Sequence, residues 1–420
     1  MDINSKLNLL FSKTASGIKP GLEVTKNLLQ NLNNPQTSFI SIHISGTNGK
    51  GSTASYIAKV LEEYGLKTGL YTSPHLYDFK ERIKICGKMI ENKSLVRLFD
   101  LIEKNDTGKR KSTFFEFTTA LAFKYFEENK VEAAVIETGM GGKFDSTNLI
   151  IPHLSIITNV TMDHLDFLGN KIELIAYEKS GIIKKNIPVI TGETNPKVLK
   201  IISEKAIKNN SDLFAINKDF KIEKLNGSFF LNHINNLELK PHLPGMHQII
   251  NSGLAAFACL KLNEFYPEIF KIKKHQIEDG IKKTKWRGRL EKILNSPEFI
   301  VDCAHNPDSS RALRNFLRDK NKKIIFVFGS LNDKDYLKNL KILEPLAKTF
   351  IFTKPDSPRA LNPIELKNLT KINSFLEPDP VKACLKAIKI ASKDDLICAA
   401  GSIYLSGKII EAFDKNNIFV

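Results

Sequence analysis

A glycine-rich segment in the first part of the chain has the residue types of a phosphate-binding loop. The β-branched run at residues 40–45 predicts a strand, and residues 54–61 predict a helix. Between them lies Gly-Thr-Asn-Gly-Lys-Gly-Ser at residues 46–52. Backbone amides at a helix N-terminus, the helix dipole and the charge of Lys50 would together bind an anionic phosphate. An ordinary strand–turn–helix with a surface lysine is the alternative, but the density of glycine and hydroxyl residues favours the phosphate loop.

The loop departs from the general phosphate-loop pattern in two ways. The spacing from Gly46 to Gly49-Lys50 is short. Gly51 stands where that pattern has the serine or threonine that binds Mg²⁺. Ser52 is one candidate for this role. Ser73 is another, because it follows a predicted strand at residues 67–72, and ligands bind at the carboxyl ends of strands in open α/β sheets. A capping serine before Pro74 is the structural alternative for Ser73.

Two further predicted strands end in polar groups. Glu137 ends the apolar run at residues 133–137, where a carboxylate is costly unless it meets a cation. Hard cations such as Mg²⁺ take oxygen ligands, so Glu137 is a predicted metal ligand. His164 follows the buried run at residues 154–160 and stands beside two carboxylates, which favours a functional role over a structural one.

The motifs along the chain resemble those of the dihydrofolate synthase and folylpolyglutamate synthase family, within the Mur ligase superfamily. They stand in the family's order, which makes the set far more specific than any one motif. They are the loop at residues 46–52, Ser-Pro-His-Leu at 73–76, the glycine loop after Glu137, Asp-His at 163–164, Glu-Lys-Ser-Gly at 178–181, Arg289, and Asp-Cys-Ala-His-Asn-Pro at 302–307. The chain departs from the family at Arg287-Gly288-Arg289, where Pro-Gly-Arg is usual.

The resemblance implies roles for individual residues. It implies that Lys50, Lys179 and His305 are catalytic, and that Lys179 is carbamylated, which would turn a cation into an anion able to bridge Mg²⁺. The remaining implied residues bind ATP (Thr47, Asn48, Gly49, Lys50, Gly51, Ser52, Asn251, Arg289 and Asp302), Mg²⁺ (Ser52, Ser73, Glu137, His164 and Lys179), or a pterin or folate (Thr113, Phe114, Phe115, Glu116, Phe144, Asp145 and Ser146).

Alternating strands and helices must position these residues. The pattern predicts an α/β protein with a P-loop-type, mainly parallel sheet in an N-terminal domain at residues 1–285. A smaller Rossmann-like α/β domain at residues 286–420 follows, after a linker near the only tryptophan, Trp286. No G-x-G-x-x-G fingerprint is present, which disfavours dinucleotide binding.

Composition restricts the class of protein. With 420 residues, 42% hydrophobic and 26% charged, the chain has the make-up of a soluble globular protein of two domains. It contains no apolar run of membrane-spanning length, no signal-peptide pattern and no cysteine spacing typical of metal or redox sites, so we expect a cytoplasmic protein. The net charge of +16 comes from lysines spread along the chain, which predicts a solvated surface that attracts anionic substrates rather than nucleic acid.

The combined prediction is an ATP-dependent amide ligase. A carboxylate of dihydropteroate or a folate would take the γ-phosphoryl group of ATP, and the amine of L-glutamate would displace phosphate from the resulting acyl phosphate. Lys50, Arg289 and Mg²⁺ would disperse the charge of the transferring group. We expect a monomer that binds no nucleic acid and no membrane. The alternatives, in order, are a Mur-type ligase acting on a UDP-linked cell-wall precursor, a P-loop NTPase switch, and a basic nucleic-acid-binding protein.

Overall fold

A computed structural model describes residues 3–13, 17, 21–163, 169, 171–232 and 237–415. The chain divides into two compact units, and it passes from one to the other at five points. The first unit comprises Met1–Pro74, Lys80–His242 and Ile249–Thr284. The second comprises His75–Phe79, Leu243–Gln248 and Lys285–Val420. Two short segments from the earlier part of the sequence therefore belong to the later unit.

The first unit is built on an eight-stranded sheet with the order β4-β3-β2-β5-β1-β6-β7-β8. Its strands are β1 Ile40–Ser45, β2 Thr68–Tyr71, β3 Ile83–Ile85, β4 Lys88–Met89, β5 Ala133–Glu137, β6 Leu154–Ile157, β7 Val189–Thr191 and β8 Leu213–Ala215. The pairs from β2 to β8 are parallel, and β3 and β4 add an antiparallel hairpin at one edge. Because β1 is central and buried, its carboxyl end lies between those of β5 and β6.

Helices lie before, between and after these strands along the chain. Those that begin before residue 285 are α1 Ile3–Ser12, α2 Glu23–Asn31, α3 Lys50–Tyr64, α4 Asn92–Asn105, α5 Phe114–Glu128, α6 Ile172–Lys179, α7 Pro196–Lys208, α8 Met246–Phe265 and α9 Lys274–Lys283. Short 3₁₀ turns lie at Pro35–Thr37, Phe79–Arg82, Ser146–Leu149 and Ser180–Ile182. A separate antiparallel sheet contains β9 Lys221–Leu225, β10 Ser228–Asn232 and β11 Leu237–Leu239.

The second unit is a six-stranded sheet with the order β12-β13-β17-β14-β15-β16. Its elements are β12 Glu291–Asn295, β13 Glu298–Val301, α10 Pro307–Arg318, β14 Lys323–Phe328, α11 Tyr336–Leu343, β15 Ala347–Phe352, α12 Pro363–Lys367, β16 Ser374–Leu376, α13 Pro380–Ile390, β17 Asp395–Ala400 and α14 Ile403–Asp414. Only β12 runs antiparallel to its neighbour. The prediction of a mainly parallel sheet followed by a smaller Rossmann-like unit is confirmed.

Burial on both faces explains the apolar strands of the second unit. Phe326 and Phe328 of β14 pack into one core, whereas the alternate residues Ile325 and Val327 pack into the other. Side chains alternate across a strand, so a parallel strand covered by helices on both faces must be apolar throughout. In the part of the chain that the structure describes, none of the helices combines the length and the apolar character needed to cross a membrane.

Candidate active site

The phosphate-loop segment forms a tight turn between β1 and α3. Gly46 and Gly49 have φ angles of 149° and 83°, which L side chains rarely adopt. A Cβ atom at Gly46 would lie 1.9 Å from Thr158 Oγ1, and one at Gly49 would lie 2.4 Å from Asn251 Oδ1. Glycine is therefore required at both positions, and the side chain of Asn251 on α8 lies directly against the loop.

The segment after β6 holds the loop in shape. The amides of Thr47 and Asn48 donate to the carbonyl and side-chain oxygens of Asn159, each at 2.9 Å, and Thr158 Oγ1 donates to Asn48 O at 2.7 Å. These two amides therefore stabilise the loop, and the first turn of α3 remains as the source of donors for a phosphate, because a helix leaves its first amides without intrahelical acceptors. Sequence reasoning missed Asn159, although its place at the end of the strand beside β1 is a usable signal.

Three predicted site residues meet at the carboxyl edge of the sheet. Lys50 Nζ donates to Thr47 O at 3.2 Å and lies 3.9 Å from Glu137 Oε1. Glu137 is only 4% exposed, and its Oε2 accepts a hydrogen bond of 3.1 Å from the amide of Ser73. The parallel order β2-β5-β1 produces this meeting, since each residue follows or ends one of three adjacent strands.

The oxygen groups at this edge fit a hard divalent cation. Among the residues that the structure describes, no hydrogen-bond partner meets the buried Ser73 Oγ or Thr138 Oγ1, and Ser52 is almost fully buried. An orphaned buried hydroxyl costs free energy, and a cation would relieve that cost beside the Glu137 carboxylate. Among the described residues, no group of three or more His, Cys, Asp or Glu side chains could hold a metal. His164, the remaining predicted ligand, lies outside the described residues.

Lys179, the last residue of α6, is also directed to the phosphate loop. It is 4% exposed, and its Nζ donates to Gly46 O at 2.7 Å. The pKa of Lys179 is lowered from 10.5 to about 7, mainly by burial and then by the positive charge of Lys50. The carboxylates of Asp163 and Asp145 partly oppose this change. A substantial fraction of this amine is therefore neutral, and hence nucleophilic, near neutral pH.

Asp145 fastens the glycine loop that follows Glu137. Its Oδ2 accepts from the amides of Gly139 and Met140, both at 2.9 Å, and its Oδ1 accepts from the amide and hydroxyl of Thr147 at 3.0 and 2.5 Å. A carboxylate has about four acceptor positions, so the chain itself occupies them. Burial raises the pKa of Asp145, and these hydrogen bonds oppose that change. The structure thus gives Asp145 a loop-holding function in addition to the predicted ligand contact.

A buried histidine extends this network towards the phosphate loop. His43 Nε2 on β1 lies 2.8 Å from Thr147 Oγ1, and because that hydroxyl donates to Asp145, it must accept from His43. Burial lowers the pKa of His43 to about 3, so the ring is neutral. Sequence reasoning missed this contact, since His43 and Thr147 are distant in the chain.

Two of the predicted pterin-binding residues cap a helix. Thr113 and Glu116 form a capping box at the start of α5, in which Thr113 N donates to Glu116 Oε2 at 2.7 Å. Arg110 donates to both oxygens of Glu116, at 2.9 and 2.8 Å. These contacts fix the start of α5, and with it the two following phenylalanines.

Of the predicted aromatic residues, Phe115 contacts the glycine loop and Phe144 belongs to it. Phe115 is half-buried, and a Cβ atom at Gly139 would lie 2.4 Å from its ring. Phe114 stacks on Phe11 with ring centroids 5.8 Å apart. Phe144 is 45% exposed, and Lys143 Nζ lies 4.6 Å from its ring centroid. Ser146 Oγ accepts a hydrogen bond of 3.3 Å from Thr25. All of these belong to the first unit.

The second unit brings its own predicted residues together at the end of β13. Asp302 Oδ2 accepts from the amide of Leu290 at 2.9 Å, and Oδ1 accepts from the amide of Ala304 at 2.8 Å. Asp302 therefore fixes the turn that carries Arg289. Sequence reasoning missed His247. Burial lowers the pKa of this histidine, the charge of Asp302 opposes that change, and the charge of Arg289 adds to it.

The ring of His305 has a defined tautomer. Its Nδ1 lies 2.9 Å from Cys303 O, and because a carbonyl oxygen can only accept, Nδ1 carries the proton. When the ring carries this one proton only, Nε2 is the proton acceptor. Asn339 Nδ2 donates to His305 O at 2.9 Å and steadies the backbone at this position.

Two family profiles match the chain. The Mur ligase middle domain matches residues 44–260, and the Mur ligase glutamate ligase domain matches residues 288–403. The first match covers the phosphate loop, Glu137 and Lys179. The second covers Arg289, Asp302 and His305.

Known relatives cover nearly the whole chain. The dihydrofolate synthase/folylpolyglutamate synthase of Bacillus subtilis is 34% identical over 94% of this chain and 95% of its own. The solved structure of E. coli FolC in complex with DHPP and ADP has 26% identity and a TM-score of 0.91, covering 99% of both chains. The bifunctional folylpolyglutamate synthase/dihydrofolate synthase of Yersinia pestis, complexed with AMPPNP and Mn ion, has 26% identity and a TM-score of 0.88, covering 99% of this chain and 98% of that one.

Proposed function

Because this chain belongs to the dihydrofolate synthase/folylpolyglutamate synthase family of Mur ligases, we propose that it joins L-glutamate to dihydropteroate, to reduced folates or to both, with ATP as the energy source. The products are ADP, phosphate and the amide. One observation carries the proposal: Lys50 and Ser73 both meet Glu137 beside the phosphate loop. Lys50 Nζ lies 3.9 Å from Glu137 Oε1, and the amide of Ser73 donates to Glu137 Oε2 at 3.1 Å. The cell-wall alternative has no support from the relatives described above.

The phosphates of ATP would bind at the start of α3. Thr47 and Asn48 shape the loop, while Gly49, Gly51 and the first helical amides approach the anion and Lys50 supplies its charge. The side chain of Asn251, which lies against Gly49, offers a donor and an acceptor in one plane for the edge of adenine. The solved relatives that hold ADP and AMPPNP support nucleotide binding.

Ser52, Ser73 and Glu137 would hold Mg²⁺, with His164 and Lys179 as further ligands. The relative with bound Mn ion supports a divalent cation at such a site. When bound, Mg²⁺ would neutralise charge on the phosphates. The chain's own contribution is the buried carboxylate of Glu137 and, beside it, the hydroxyl of Ser73, to which no described residue gives a hydrogen bond.

Lys179 would act as its carbamate. Its neutral amine would attack CO₂, forming a C–N bond and releasing one proton. The resulting carbamate would place an anion beside Lys50, where the protonated amine would place a buried cation. The pKa of about 7, the burial and the nearby charge of Lys50 support this step. Carbon-13 NMR of the protein in ¹³C-bicarbonate should show a carbamate signal that the Lys179→Met variant lacks.

The acyl acceptor would bind near the glycine loop. Phe114, Phe115 and Phe144 present phenyl faces on which a flat pterin can stack. Thr113, Glu116 and Ser146 would complete the pocket, and Asp145 would hold the loop that lines it. The relative solved with DHPP and ADP supports binding of a small-molecule substrate in addition to the nucleotide.

The second unit would supply the groups that act on the amine and the transferred phosphoryl group. Arg289, held by the turn at Asp302, would contact phosphate. The Nε2 of His305 can accept the proton that the glutamate ammonium must lose before it attacks. The match to a glutamate ligase domain over residues 288–403 supports this division of labour.

We further propose the functional division that the sequence predicts. Residues 1–285 would bind ATP and the folate, and residues 286–420 would form the glutamate-ligase part. The protein would act as a cytoplasmic monomer, and its five cysteines, none of which forms a disulfide, support a reducing compartment.

Glutamate-dependent ADP release tests the proposal. Dihydropteroate, tetrahydrofolate and a UDP-linked cell-wall peptide would be supplied separately with L-glutamate, ATP and Mg²⁺. We expect release with one or both pteridines, and mass spectrometry should detect the added glutamate. Activity only with the UDP-linked peptide would overturn the proposal. ATP hydrolysis at a rate that depends on none of the three substrates would also overturn it.

A further inference from the structure

Lys143, in the glycine loop of the first unit, contacts two half-exposed aromatic side chains. Its Nζ lies 4.6 Å from the ring centroid of Phe144 and 5.2 Å from that of Tyr177 on α6. The two aromatic residues are 45% and 50% exposed. An ammonium group over the face of an aromatic ring is attracted by the ring electrons. The two rings therefore hold this ammonium group at the surface of the unit, where a ligand can reach it.

The backbone at Lys143 is fixed against the end of α6. The amide of Lys143 donates to Glu178 O at 2.8 Å. A Cβ atom at Gly181 would lie 2.3 Å from Lys143 Cα, and one at Gly142 would lie 2.8 Å from the carbonyl oxygens of both Glu178 and Lys179. The two backbone segments thus approach each other at a distance that only glycine allows. The Lys143 side chain therefore extends from a rigid part of the loop.

The same loop is bonded to the strand that leads into the phosphate loop. Ser45 Oγ, at the end of β1, donates to Gly141 O at 2.7 Å, and Ser45 directly precedes Gly46. Two residues along the chain separate Gly141 from Lys143, so their Cα atoms are at most about 7 Å apart. Lys143 is therefore anchored near the phosphate loop within the first unit.

The charge of Lys143 differs in its surroundings from the other two lysines of the site. Lys50 lies 3.9 Å from the Glu137 carboxylate, and Lys179 is buried with its Nζ bonded to the phosphate loop. Within the part of the chain that the structure describes, no carboxylate forms an ion pair with Lys143. Its charge does act on Glu178: burial raises the pKa of that carboxyl, and Lys143 opposes the change. The ammonium group of Lys143 is thus available to an anionic ligand.

The chemistry of the proposed reaction calls for such a cation with one class of substrate. Dihydropteroate has a single carboxylate, and that carboxylate reacts. Amide formation consumes the amine of L-glutamate and leaves both of its carboxylates on the product. When such a product accepts another glutamate, one carboxylate takes the phosphoryl group and the other does not react. A cation that is not used at the phosphates can bind the second carboxylate through a charge-assisted hydrogen bond.

We propose that Lys143 binds the non-reacting carboxylate of a glutamylated folate, and thereby determines how well the protein accepts folates relative to dihydropteroate. The inference rests on the proposed function. Phe144 and Tyr177 are positioning residues, because their rings hold the ammonium group. An aromatic ring has two faces, so Phe144 can contact Lys143 on one face and a pterin on the other.

The test compares two ligands that differ only by the glutamyl group, tetrahydropteroate and tetrahydropteroyl-monoglutamate. Calorimetric titration of the full-length protein with ADP and Mg²⁺ gives both dissociation constants without turnover. We expect Lys143→Met to weaken binding of the monoglutamate, relative to binding of tetrahydropteroate, about three- to tenfold, because a charge-assisted hydrogen bond is lost. Lys143→Arg keeps the charge and should recover most of this loss. Tyr177→Leu removes one of the two rings and should change the ratio about two- to threefold.

A matched control is available in the separate antiparallel sheet of the same unit. Lys224 Nζ lies 5.7 Å from the ring centroid of Phe229, so Lys224→Met also removes a lysine from an aromatic ring, and it should leave the ratio unchanged. If Lys143→Met folds poorly, Lys143→Gln removes the charge while keeping a polar side chain.

The possible outcomes separate this inference from the proposed function. If Lys143→Met weakens both ligands equally or neither, Lys143 does not bind the second carboxylate and the inference is overturned. Binding of tetrahydropteroate without binding of the monoglutamate by the natural protein would also overturn it, while leaving ligation to dihydropteroate in place. If the natural protein binds neither ligand and releases no ADP with either pteridine, the proposed function itself is wrong.

Discussion

Glu137 and Asp302 are both carboxylates at the ends of parallel strands, yet their surroundings differ. Glu137 faces the ammonium group of Lys50 at 3.9 Å and lies beside the hydroxyl of Ser73, which has no hydrogen-bond partner within the described part of the chain. Asp302 accepts a backbone amide on each oxygen and fixes a turn. Equivalent positions in the two sheets thus have different roles: Glu137 interacts with a charge, whereas Asp302 fixes the backbone of a turn. Position in an α/β fold locates a site, but the partners of each side chain decide what it does.

The largest effect should come from removing the positive charge of Lys50. Lys50→Ala should lower kcat about a thousandfold or more, because Lys50 offsets charge on the transferring phosphoryl group. Phosphate release measures the loss, and circular dichroism should show an unchanged fold. Lys50→Arg, which keeps a charge in a different shape, should lose less. A modest loss in the alanine variant would contradict the assignment of Lys50.

Exchanging each carboxylate for its amide tests the comparison directly. Glu137→Gln should lower activity about a hundredfold with little loss of stability, because the charge beside Lys50 disappears. Asp302→Asn leaves one backbone amide without an acceptor and should cost about 1–3 kcal/mol of unfolding free energy. Activity assays and urea denaturation of both variants provide the measurements. If Glu137→Gln were the less stable variant, the two roles would have to be exchanged.

Lys179, the other cationic side chain at the phosphate loop, should make the stability of the protein depend on pH. The pKa of Lys179 falls from 10.5 to about 7 on folding, so between these values the unfolded chain keeps a proton that the folded chain releases. Its destabilising effect is complete below pH 7 and disappears as the pH rises towards 10.5. Lys179→Met should therefore be more stable than the natural protein at pH 6, with a difference that shrinks on raising the pH. Urea denaturation in bicarbonate-free buffer measures this, and a difference independent of pH would contradict it.

A smaller effect is expected from the network beneath the glycine loop. Thr147→Val removes the hydroxyl that links His43 to Asp145 and leaves a buried imidazole N–H without an acceptor. The cost should be about 1–2 kcal/mol of unfolding free energy. Thr147→Ser keeps the hydroxyl and should recover most of it. Equal losses in both variants would show that the methyl group, rather than the hydrogen bonds, matters.

The sequence alone determined the local units of the site. The β1–loop–α3 segment follows from a β-branched run, glycines at positions with positive φ and a helix behind them. Glu137 is found from sequence for a similar reason, because a carboxylate at the end of an apolar strand is visible as an exception to the pattern. The α/β class follows from the alternation of such segments. These signals are local, so neighbouring residues are enough to produce them.

Only the tertiary structure decided which groups meet. His43 and Thr147, Lys179 and Gly46, and Tyr77 and Asp414 are each separated by more than a hundred residues along the chain. The lowered pKa of Lys179 exists only because folding buries its amine beside Lys50. Periodicity and motif spacing carry no information about such pairs, since burial and charge proximity arise from packing between distant segments. Arg287 is visible in the sequence, but its bond to Asp414 is not.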